Sequence, residues 1–507
     1  MPDVKKTKVY LVGAGPGRAD LITLRGKELL SRADCIICDR LVNPALLRFA
    51  PPDAEIINVP KGVGTRSYTQ QQINELLLAK SAEHKTIVRL KGGDPTIFGR
   101  AAEELAALAD AGIDFEIVPG VTAASAAAGF AGILLTDRAC NSQVVFVTGR
   151  EADDKQQSSI DFNRLAKFGG TIVIYMGVGS LAFIAERLVE NGMKQDTPAA
   201  VIADATLPTQ NTVRATLSEI AGRCKSEGIE PPAIILIGAA AAGDRRFDWF
   251  SRMPFFGKSI VLTRDARGNA ESAEKVINRG GKPIELSTIR IVPLTEKTGF
   301  ISTLTRFGQY DWVVFTSRNG VNIFFEMLGK LGKDARVFAS VKVAAIGPQT
   351  AGALAEFGIR PELVPGVFTA KELGRELIAL ASLEEKKILL LRSRSASKDL
   401  PALLEEAKAV VDDVAVYDAV PMKSDCTMLQ EQIAGGKVDW LTFASPSEAR
   451  MFFQQVPVEV VNSSRAKVAS IGPVTSEQLR QLGIAADIEA SEHTVDGLLA
   501  AIEGIAS

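Results

Sequence analysis

Residues 86–100 read TIVRLKGGDPTIFGR, an apolar run that stops at a Gly-Gly pair. The β-branched residues before the pair predict a strand, and the alanine-rich segment 100–111 predicts a helix. Gly92 and Gly93 allow backbone angles that are closed to other residues, and they let a ligand approach the main chain. A strand, a loop and a helix in this order are typical of open α/β sheets, whose ligands bind at the carboxyl ends of the strands. The stretch therefore predicts an α/β fold with a ligand loop.

Asp94 follows the two glycines, and Pro95 holds it in extended geometry. A carboxylate beside unshielded amides suits a polar, cationic ligand. The loop residues alone leave an ordinary Gly-Asp-Pro turn as the alternative. The ligand loop is favoured because other predicted strands of the first half also end in glycines or polar groups. These strands are followed by Gly13–Gly17, Asp39–Arg40, Pro60–Gly62 and Pro119–Ser125.

The chain has 507 residues, well above the roughly 250 to 300 at which one core stops growing, so we expect two or more domains. Apolar residues make up 46% and charged residues 23%, as in ordinary globular proteins. The net charge of −2 provides no basic field, which argues against nucleic acid or an anionic membrane as a partner. The amino terminus lacks the apolar core of a signal peptide, and no window reaches the roughly 18 apolar residues of a membrane span. We therefore expect a cytoplasmic protein.

The five cysteines are scattered and odd in number, which is inconsistent with a disulfide framework. Cys35-Ile-Ile-Cys38 has the spacing of a redox motif, but it lies in a strand-like apolar run, so we expect both cysteines in the core. The two histidines, His84 and His493, have no cluster of ligand residues beside them in the sequence. We therefore expect no metal site and no Ser-His-Asp hydrolase.

Several blocks of the first half together resemble the tetrapyrrole methyltransferases, and among them the uroporphyrinogen-III C-methyltransferases. In order within residues 7–250, the blocks are Val12–Gly17 (VGAGPG), Asp39–Val42 (DRLV), Arg89–Pro95 (RLKGGDP), Val118–Ser125 (VPGVTAAS) and Tyr175–Gly177 (YMG). Their joint occurrence is far more specific than any one of them. The resemblance implies a two-lobed α/β enzyme that binds S-adenosylmethionine in its cleft and methylates uroporphyrinogen III twice, giving precorrin-2.

The resemblance also assigns the cofactor-binding positions. They fall on Pro16, Gly92, Gly93, Asp94, Ile97, Thr122, Ala123, Met176 and Ala205. The chain departs from the family pattern at two places. Ala205 stands where the family has a glycine, a mild change if the contact is made by the main chain, and Arg18 replaces the usual acidic residue after Gly-Pro-Gly.

Methyl transfer from a sulfonium is an in-line displacement, so catalysis depends on alignment and on managing the proton that the macrocycle loses. By the resemblance, Asp39 matches the position proposed to accept a proton, and Lys61 matches the proposed donor. An ion pair of Asp39 with Arg40 or Lys61, and a solvated loop lysine at position 61, are the alternatives. Arg100 is expected to bind substrate carboxylates. Further candidates for that role are Arg66, Arg89, Lys91, Arg138 and Arg150.

The second half contains an internal repeat. Residues 343–350 (VAAIGPQT) recur as 468–475 (VASIGPVT), and 311–317 (DWVVFTS) recur as 439–445 (DWLTFAS). Each block predicts a strand that opens into a Ser or Gly-Pro loop before a helix, as in doubly wound domains, so we expect two similar α/β lobes facing one cleft. Residues 239–254 lose all periodicity, which places a domain boundary near residue 255.

Residues 257–507 resemble uroporphyrinogen-III synthase. The blocks, specific through their order, are Leu262–Arg264, Phe315–Gly320, Ile346–Thr350, Leu391–Ser393, Val416–Tyr417, Phe443–Ser445 and Ile471–Pro473. The resemblance implies cyclisation of linear hydroxymethylbilane with inversion of the last pyrrole ring. Tyr417 matches a family tyrosine suggested to assist loss of the leaving hydroxyl, with a core tyrosine as the alternative. Asp418-Ala419 replaces the basic or Thr residues that usually follow it.

Hydroxyls, loop amides and helix N-termini suit a polycarboxylate, because unpaired amides bind anions. The residues of the second half expected to bind substrate are Thr263, Arg264, Ser317, Arg318, Asn319, Gly347, Thr350, Arg392, Ser393, Ser445 and Gly472.

The product expected of the second half is the substrate expected of the first, which favours a bifunctional enzyme of tetrapyrrole synthesis. We expect a methyltransferase domain at 1–250, a synthase domain at 257–507, and a homodimer formed through the methyltransferase domain. One alternative makes the second half a two-lobed small-molecule sensor. Another keeps the methylase fold but gives it RNA or protein as substrate, which the lack of a basic patch disfavours.

Overall fold

A computed structural model describes residues 7–59, 68–138, 141–149, 160–294 and 299–506. The chain divides into two compact units. The first comprises Met1–Ser259 with Val276–Lys282 and Ala506–Ser507, and the second comprises Ile260–Lys275 and Pro283–Ile505. Each unit contains two five-stranded sheets together with helices, so the predicted α/β class and two-lobed architecture are confirmed.

The first lobe of the first unit alternates strands and helices. Its elements are β1 (Lys8–Gly13), α1 (Leu24–Leu30), β2 (Cys35–Asp39), β3 (Glu55–Val59), α2 (Gln70–Glu83), β4 (Thr86–Lys91), α3 (Ala101–Asp110), β5 (Asp114–Val118) and α4 (Ala123–Phe130). The strands run parallel in the order β3-β2-β4-β1-β5. Because β4 is the central strand, the Gly-Gly-Asp loop that follows it lies at the middle of the carboxyl edge.

The second lobe of this unit contains a mixed sheet. Its elements are β6 (Val144–Thr148), α5 (Phe162–Ala166), β7 (Thr171–Tyr175), α6 (Leu181–Glu190), β8 (Pro198–Ala203), β9 (Asn211–Thr216), α7 (Ile220–Ser226) and β10 (Ala233–Ile237). The strand order is β6-β7-β10-β8-β9, with β6 and β7 parallel and the other neighbours antiparallel.

Local sequence signals explain where these elements begin and which faces they bury. Helix α2 begins at a capping box, in which Thr69 and Gln72 each accept a hydrogen bond from the other's amide. Cys35 and Cys38 are buried on opposite faces of β2, in two different apolar clusters. The prediction that both cysteines are core residues is confirmed, and their opposite orientations are incompatible with a disulfide between them.

The second unit also contains two sheets. Its elements are β11 (Ser259–Leu262), α8 (Ala266–Ile277), β12 (Lys282–Glu285), β13 (Ile289–Pro293), α9 (Phe300–Thr305), β14 (Trp312–Phe315), α10 (Arg318–Lys330), β15 (Lys342–Ala345), α11 (Pro348–Glu356), α12 (Ala370–Leu380), β16 (Lys387–Ser393), α13 (Asp399–Glu406), β17 (Val410–Pro421), α14 (Thr427–Ala434), β18 (Trp440–Phe443), α15 (Pro446–Phe453), α16 (Val458–Asn462), β19 (Lys467–Ser470), α17 (Pro473–Gln481), β20 (Ile488–Glu489) and α18 (Val495–Ala506). The strand orders are β12-β11-β18-β19-β20 and β13-β17-β16-β14-β15. Over the described ranges, no helix in either unit has both the length and the apolarity to cross a membrane.

The predicted internal repeat is present in both sheets of the second unit. The succession β14-α10-β15-α11 recurs as β18-α15-α16-β19-α17, in which the short helix α16 is additional. Trp312 pairs with Lys342 in one sheet, and Trp440 pairs with Lys467 in the other. In each pair the ammonium nitrogen lies 5.5 Å from the centre of the indole ring. The two lobes thus share strand register and a cation–π contact.

Residues 239–254, aperiodic in sequence, are held by aromatic packing. The ring of Phe250 lies 4.9 Å from that of Phe130 and 5.2 Å from that of Phe256. The amide of Phe255 donates to the carbonyl of Arg279 at 2.8 Å. The segment contains two short 3₁₀ turns, Ala239–Ala242 and Arg245–Phe247, but no α-helix or strand. The domain limits 1–250 and 257–507 stay predictions.

Candidate active sites

Three loops meet at the carboxyl edge of the first sheet, after β1, β4 and β5. Gly15 and Gly93 form an isolated antiparallel bridge, in which the amide of Gly93 donates to the carbonyl of Gly15 at 2.7 Å. A Cβ atom on Gly13 would lie 2.6 Å from the Cα of Gly120, and one on Gly120 would lie 2.3 Å from the carbonyl oxygen of Gly93. Glycine is therefore required at Gly13 and Gly120 for the loops to approach each other.

Asp94 ties two of these loops together. It is 8% exposed, and its carboxylate accepts hydrogen bonds from the amide and hydroxyl of Thr96 and, at 2.9 Å, from the amide of Gly120. Hydrogen bonds to an ionised carboxylate are stronger than neutral ones and fix the shape of the loop. The structure thus shows Asp94 shaping the loop, and its contact with the cofactor stays a prediction.

Gly92 and Gly93 leave space beside the main chain. Among the described residues, the only atom within 4 Å of a Cβ atom on Gly92 would belong to Leu41, at 3.5 Å, and the only one near a Cβ atom on Gly93 would be the amide nitrogen of Ala123, at 3.6 Å. Because the described atoms do not crowd these positions, a ligand can lie against the backbone there, as predicted for the cofactor.

Other predicted cofactor residues approach the same edge from both lobes. Ile97, Ala123 and Ala205 are half-buried and pack against one apolar cluster. Pro16 is half-buried in the loop after β1, and Met176 is 53% exposed immediately after β7. The structure therefore brings together segments that are far apart in the sequence.

Strained backbone conformations of non-glycine residues are concentrated at the ends of β4, β7 and β8. In the described part of the first unit, a positive φ between 47° and 73° occurs at Phe98, Arg100, Met176, Asp204 and Thr206. Such conformations persist where the surrounding structure determines them, and they cluster at functional sites. Their positions beside Ile97 and Ala205 support a binding function for this edge.

Arg18 connects the loop after β1 to the loop after β8. Its amide donates to the hydroxyl of Thr206 at 2.9 Å, and its guanidinium forms an ion pair with Asp20. The guanidinium also lies 5.8 Å from the ring centre of Phe130. The charge that replaces the family's acidic residue is therefore balanced locally by Asp20.

Asp39, the predicted proton acceptor, lies at the end of β2 with its carboxylate partly exposed. Its Oδ1 atom is 2.5 Å from Nη2 of Arg89, which is fully buried on β4. The sequence suggested Arg40 or Lys61 as an ion-pair partner of Asp39, and the partner that the structure shows is Arg89. Lys61, the predicted proton donor, lies outside the described residues.

Glu104 of α3 balances the buried cations of β4. Its Oε1 atom accepts from Nζ of Lys91 at 2.8 Å, from Nη2 of Arg89 at 3.2 Å and from Nε2 of Gln70 at 3.3 Å. Burial, and next the charge of Arg89, lower the pKa of Lys91. Arg89 and Lys91 are paired inside the protein, which corrects the expectation that they bind substrate carboxylates.

Arg100 is at the surface and has a partner of its own. Its Nε and Nη2 atoms lie 2.6 and 2.7 Å from the two carboxylate oxygens of Glu103, and both side chains are about half exposed. A substrate carboxylate would have to share the guanidinium with Glu103, and the predicted role in substrate binding stays a prediction.

Cys35, Glu55 and His84 meet at the amino end of the first sheet, with possible ligand atoms within 4.8 Å of one another. The Nε2 atom of His84 is 2.8 Å from Oε2 of Glu55, and the other oxygen of Glu55 is 2.9 Å from Nζ of Lys80. Burial raises the pKa of Cys35 to about 11, so its thiol is protonated at neutral pH. The sequence did not reveal this group because its members are far apart, and the expectation that the protein has no metal site stays a prediction.

Four helices of the second unit begin at predicted substrate-binding residues. Ser317 and Ser445 are the N-caps of α10 and α15, and each accepts a hydrogen bond from a helix amide. Gly347 and Gly472 directly precede α11 and α17. Each of the two sheets thus carries two helix N-termini at the carboxyl ends of adjacent strands. The backbone amides in the first turns of these helices suit the carboxylates of a tetrapyrrole.

Tyr417, the predicted catalytic tyrosine of this unit, lies beside two predicted substrate residues. Its buried hydroxyl donates to Oγ of Ser317 at 2.9 Å. Ser393 of β16 is paired with Tyr417 of β17, directly after a bulge that interrupts the pairing of these two strands. Burial raises the pKa of Tyr417, so its phenol is a proton donor at neutral pH.

Two predicted substrate arginines of the second unit are half-exposed. Nη1 of Arg318 lies 2.6 Å from the carboxylate of Glu271 on α8, and Arg264 donates to the hydroxyl of Ser272 at 3.3 Å. Asn319 follows Arg318 in the first turn of α10 and is also half-exposed. These side chains are positioned by protein partners and remain within reach of a ligand.

Three other predicted substrate residues, Thr263, Thr350 and Arg392, are buried. The hydroxyl of Thr263 donates to the carbonyl of Thr442 at 2.8 Å. Arg392 makes a bidentate ion pair with Asp413, with both distances 2.6 Å. Because these groups are already bonded inside the protein, the structure favours a structural role for Thr263 and Arg392, and their contact with substrate stays a prediction.

Sequence reasoning missed the roles of Glu104 and Tyr175. Glu104 looks like one of two adjacent solvated glutamates on an alanine-rich helix. The available signal was on β4, because Arg89 and Lys91 in a buried central strand require a buried anion. Tyr175 belongs to the YMG block, but its hydroxyl lies 2.6 Å from the hydroxyl of Thr122, which is distant in the sequence.

Two family models match the chain: that of the tetrapyrrole (corrin/porphyrin) methylases over residues 8–221 and that of uroporphyrinogen-III synthase over residues 270–500. The porphyrin biosynthesis protein HemD of Ruminiclostridium josui is 35% identical over 97% of this chain and 96% of its own. The S-adenosyl-L-methionine-dependent uroporphyrinogen III methyltransferase of Methanosarcina barkeri is 46% identical over 46% of this chain and 91% of its own. Among solved structures, the uroporphyrin-III C-methyl transferase of Thermus thermophilus with S-adenyl homocysteine shares 35% identity over 46% of this chain and 92% of its own, with a TM-score of 0.39.

Proposed function

The chain belongs to the tetrapyrrole methylase and uroporphyrinogen-III synthase families, and on this premise we propose that it catalyses two consecutive steps of tetrapyrrole synthesis. The second unit cyclises hydroxymethylbilane to uroporphyrinogen III with inversion of one ring. The first unit methylates that product twice with S-adenosylmethionine, giving precorrin-2. The observation that carries the proposal is that one relative aligns with both halves, in the same order, over nearly the whole of both chains.

The first site suits the adenosylmethionine cofactor, which supplies the methyl group. The backbone beside Gly92 and Gly93 is accessible, and Ile97, Ala123 and Ala205 border the same region. In the proposed mechanism these segments would hold and orient the cofactor, which would supply the methyl group for transfer to a carbon of the macrocycle. Methylation at carbon leaves the macrocycle with a proton to lose, and the carboxylate of Asp39, held by the buried guanidinium of Arg89, accepts it.

The second site must fold a flexible linear substrate and assist departure of its hydroxyl. The N-termini of α10, α11, α15 and α17 bind carboxylates, with Arg264 and Arg318 as additional cationic partners. Tyr417 donates its phenol proton to the leaving hydroxyl, which departs as water. Holding the chain in the cyclisation geometry is the larger part of the task, because many contacts share the entropic cost.

Incubation of the intact protein with hydroxymethylbilane, with and without S-adenosylmethionine, tests both activities. We expect uroporphyrinogen III without the cofactor and the dimethylated product with it, resolved by chromatography and mass spectrometry. The spontaneous, uninverted isomer measured without protein is the control. Methylation of supplied uroporphyrinogen III, with only the uninverted isomer formed from hydroxymethylbilane, would instead assign the second unit to sensing.

The proposed domain limits, 1–250 and 257–507, can be tested with separate pieces. Residues 250–258 make contacts on both sides of the predicted boundary: Phe250 packs on Phe130, and Phe255 bonds to Arg279. Overlapping pieces 1–258 and 250–507 retain this segment in each case. We expect each piece to fold and keep its own reaction, since about 250 residues are enough to bury a core.

The protein forms a homodimer through its first unit and is located in the cytoplasm. The homodimer is supported by exposed apolar side chains such as Leu24, 88% exposed, and Phe183, 56% exposed. Light scattering of the intact chain and of its two pieces would measure the mass of each. A cytoplasmic location agrees with the buried free thiols of Cys35, Cys38, Cys224 and Cys426, and cell fractionation would test it.

A further inference from the structure

Tyr175 occupies the point where the second lobe of the first unit meets helix α4. It is the last residue of β7 and is 8% exposed. Its phenol oxygen lies 2.6 Å from the hydroxyl oxygen of Thr122 and accepts a hydrogen bond from the amide of Ala124 at 3.2 Å. Both partners flank Ala123, so the hydroxyl binds the first turn of the helix that carries two predicted cofactor residues.

Helix α4 has no side-chain cap of its own. Thr122 occupies the N-cap position, yet its hydroxyl makes no capping bond to a helix amide. Amides in the first turn of a helix need partners from outside the helix, and the N-cap side chain usually provides one. Here the hydroxyl of Tyr175 accepts a hydrogen bond from the amide of Ala124, and the hydroxyl of Thr122 is hydrogen-bonded to the hydroxyl of Tyr175.

The ring of Tyr175 contacts a second predicted cofactor segment. Its centre lies 5.0 Å from that of Phe98, which follows Ile97 in the loop after β4 and has φ of 51°. Among the described residues, its other aromatic neighbour is Phe146 of β6, at 5.8 Å. The residue after Tyr175 is Met176, itself a predicted cofactor residue with a positive φ. One side chain thus touches the loop after β4 and the start of α4, and its own backbone leads into Met176.

We propose that Tyr175 is a positioning residue for the cofactor site, whose hydroxyl fixes Thr122 and Ala123 of α4 and whose ring supports the Ile97–Phe98 segment. This inference rests on the proposed methyltransferase function. A phenylalanine would fill the same space between Phe98 and Phe146, so packing alone does not account for the hydroxyl. Burial raises the pKa of Tyr175, so the phenol keeps its proton and its capacity to donate.

The test is Tyr175→Phe in the full-length protein, with S-adenosylhomocysteine as the calorimetric probe. We expect S-adenosylhomocysteine to bind about tenfold more weakly, because the amide of Ala124 and the hydroxyl of Thr122 both lose their hydrogen-bond partner. The KM for S-adenosylmethionine should rise by a similar factor, while kcat at saturating cofactor changes less than about twofold. Tyr310→Phe is the matched control, since it removes another buried tyrosine hydroxyl, one bonded to Asp412 in the second unit, and leaves the affinity unchanged.

A double-mutant cycle separates positioning from a general loss of stability. Thr122→Val should weaken the affinity, and adding Tyr175→Phe to Thr122→Val should cost little more, because the two hydroxyls act together. Unchanged affinity in a folded Tyr175→Phe, or fully additive losses, would overturn the inference. If Tyr175→Phe does not fold, equal affinities of the wild type and Thr122→Val would overturn it. Failure of the wild-type protein to bind S-adenosylhomocysteine would instead overturn the proposed function.

Discussion

Arg89 is fully buried, and its guanidinium holds the carboxylate of Asp39 at 2.5 Å across the ends of β4 and β2. Glu104 accepts from the same Nη2 atom at 3.2 Å. A buried cation paired with two carboxylates is compensated by both, and such a group orients its partners strongly because leaving it unpaired is costly. The residue proposed to accept the proton is therefore fixed by a residue that substrate does not contact.

Asp39→Asn should lower the methylation rate at least about a hundredfold and leave the affinities for cofactor and substrate unchanged, because an amide cannot accept the proton. Single-turnover kinetics and calorimetry with S-adenosylhomocysteine measure the two quantities. Asp20→Asn, which breaks the exposed ion pair with Arg18, is the control and should keep the normal rate. A near-normal rate in Asp39→Asn, accompanied by a lower free energy of unfolding, would assign Asp39 to holding Arg89.

Asp94→Ala should abolish methylation through weaker cofactor binding and leave cyclisation intact. The carboxylate orders the loop through Thr96 and Gly120, and losing such charge-assisted bonds costs roughly 1.5 to 3 kcal/mol, or about one to two decades in affinity. Asp94→Asn retains an acceptor oxygen and should lose less. Calorimetry with S-adenosylhomocysteine gives the affinities, and equal values for wild type and Asp94→Ala would contradict the prediction.

Tyr417→Phe should slow cyclisation at least about tenfold, because the departing hydroxyl loses its proton donor. The rate is measured by trapping uroporphyrinogen III, with methylation of supplied uroporphyrinogen III as the internal control. Tyr310→Phe removes a hydroxyl bonded to Asp412 on β17, the strand that also carries Tyr417, and should cyclise normally once folded. If both variants cyclise at the wild-type rate, Tyr417 is the core tyrosine of the alternative interpretation.

Asp413→Asn should lower the free energy of unfolding of the second unit by about 2 to 3 kcal/mol at pH 7, because Arg392 loses a charge-assisted partner. The hydrogen bond from Arg392 lowers the pKa of Asp413 below its ordinary value of 3.8. For a carboxyl with a depressed folded pKa, the stabilisation is complete above the unfolded pKa and is lost as the pH falls through the folded one. The difference between wild type and Asp413→Asn should therefore shrink below about pH 4.

Urea unfolding of piece 250–507 at pH 7 and at pH 3 measures this difference, and Arg392→Met provides the reciprocal variant. A constant difference across that range would mean that the ion pair does not stabilise the fold. A raised KM for hydroxymethylbilane in a fully folded Arg392→Met would restore the predicted role in substrate binding.

The strand ends of the first lobe were predictable because glycine and proline mark them directly. The capping box of Thr69 and Gln72 likewise depends on two residues close in sequence. The buried set of Arg89, Lys91 and Glu104 was not predictable, because the burial of a charged side chain depends on a partner contributed by another element. For the same reason the sequence suggested substrate contact for Arg392, whose partner Asp413 is on the neighbouring strand.

The repeat of the second unit was predictable from paired blocks, but its connectivity was not. β11 and β18 are adjacent in one sheet although all five strands of the other lobe lie between them in the chain. Periodicity identifies each strand, whereas the choice of neighbour depends on which apolar faces close around a common core. The aromatic packing of Phe250 and Phe256 escaped the sequence analysis because it has no period.

Because β11 and β18 are far apart in the chain, the two lobes of the second unit cannot be completed at the same time during synthesis on the ribosome. Residues 289–421 contain all five strands of one lobe, from β13 to β17, so this lobe can close as soon as it has emerged. Synthesis proceeds at about 5 to 20 residues per second, so β11 and β12 remain without their partner strands β18 to β20 for many seconds. Two strands alone are marginally stable, so a chain that ends before residue 440 would carry one finished lobe and an unpaired β11 edge exposed to aggregation.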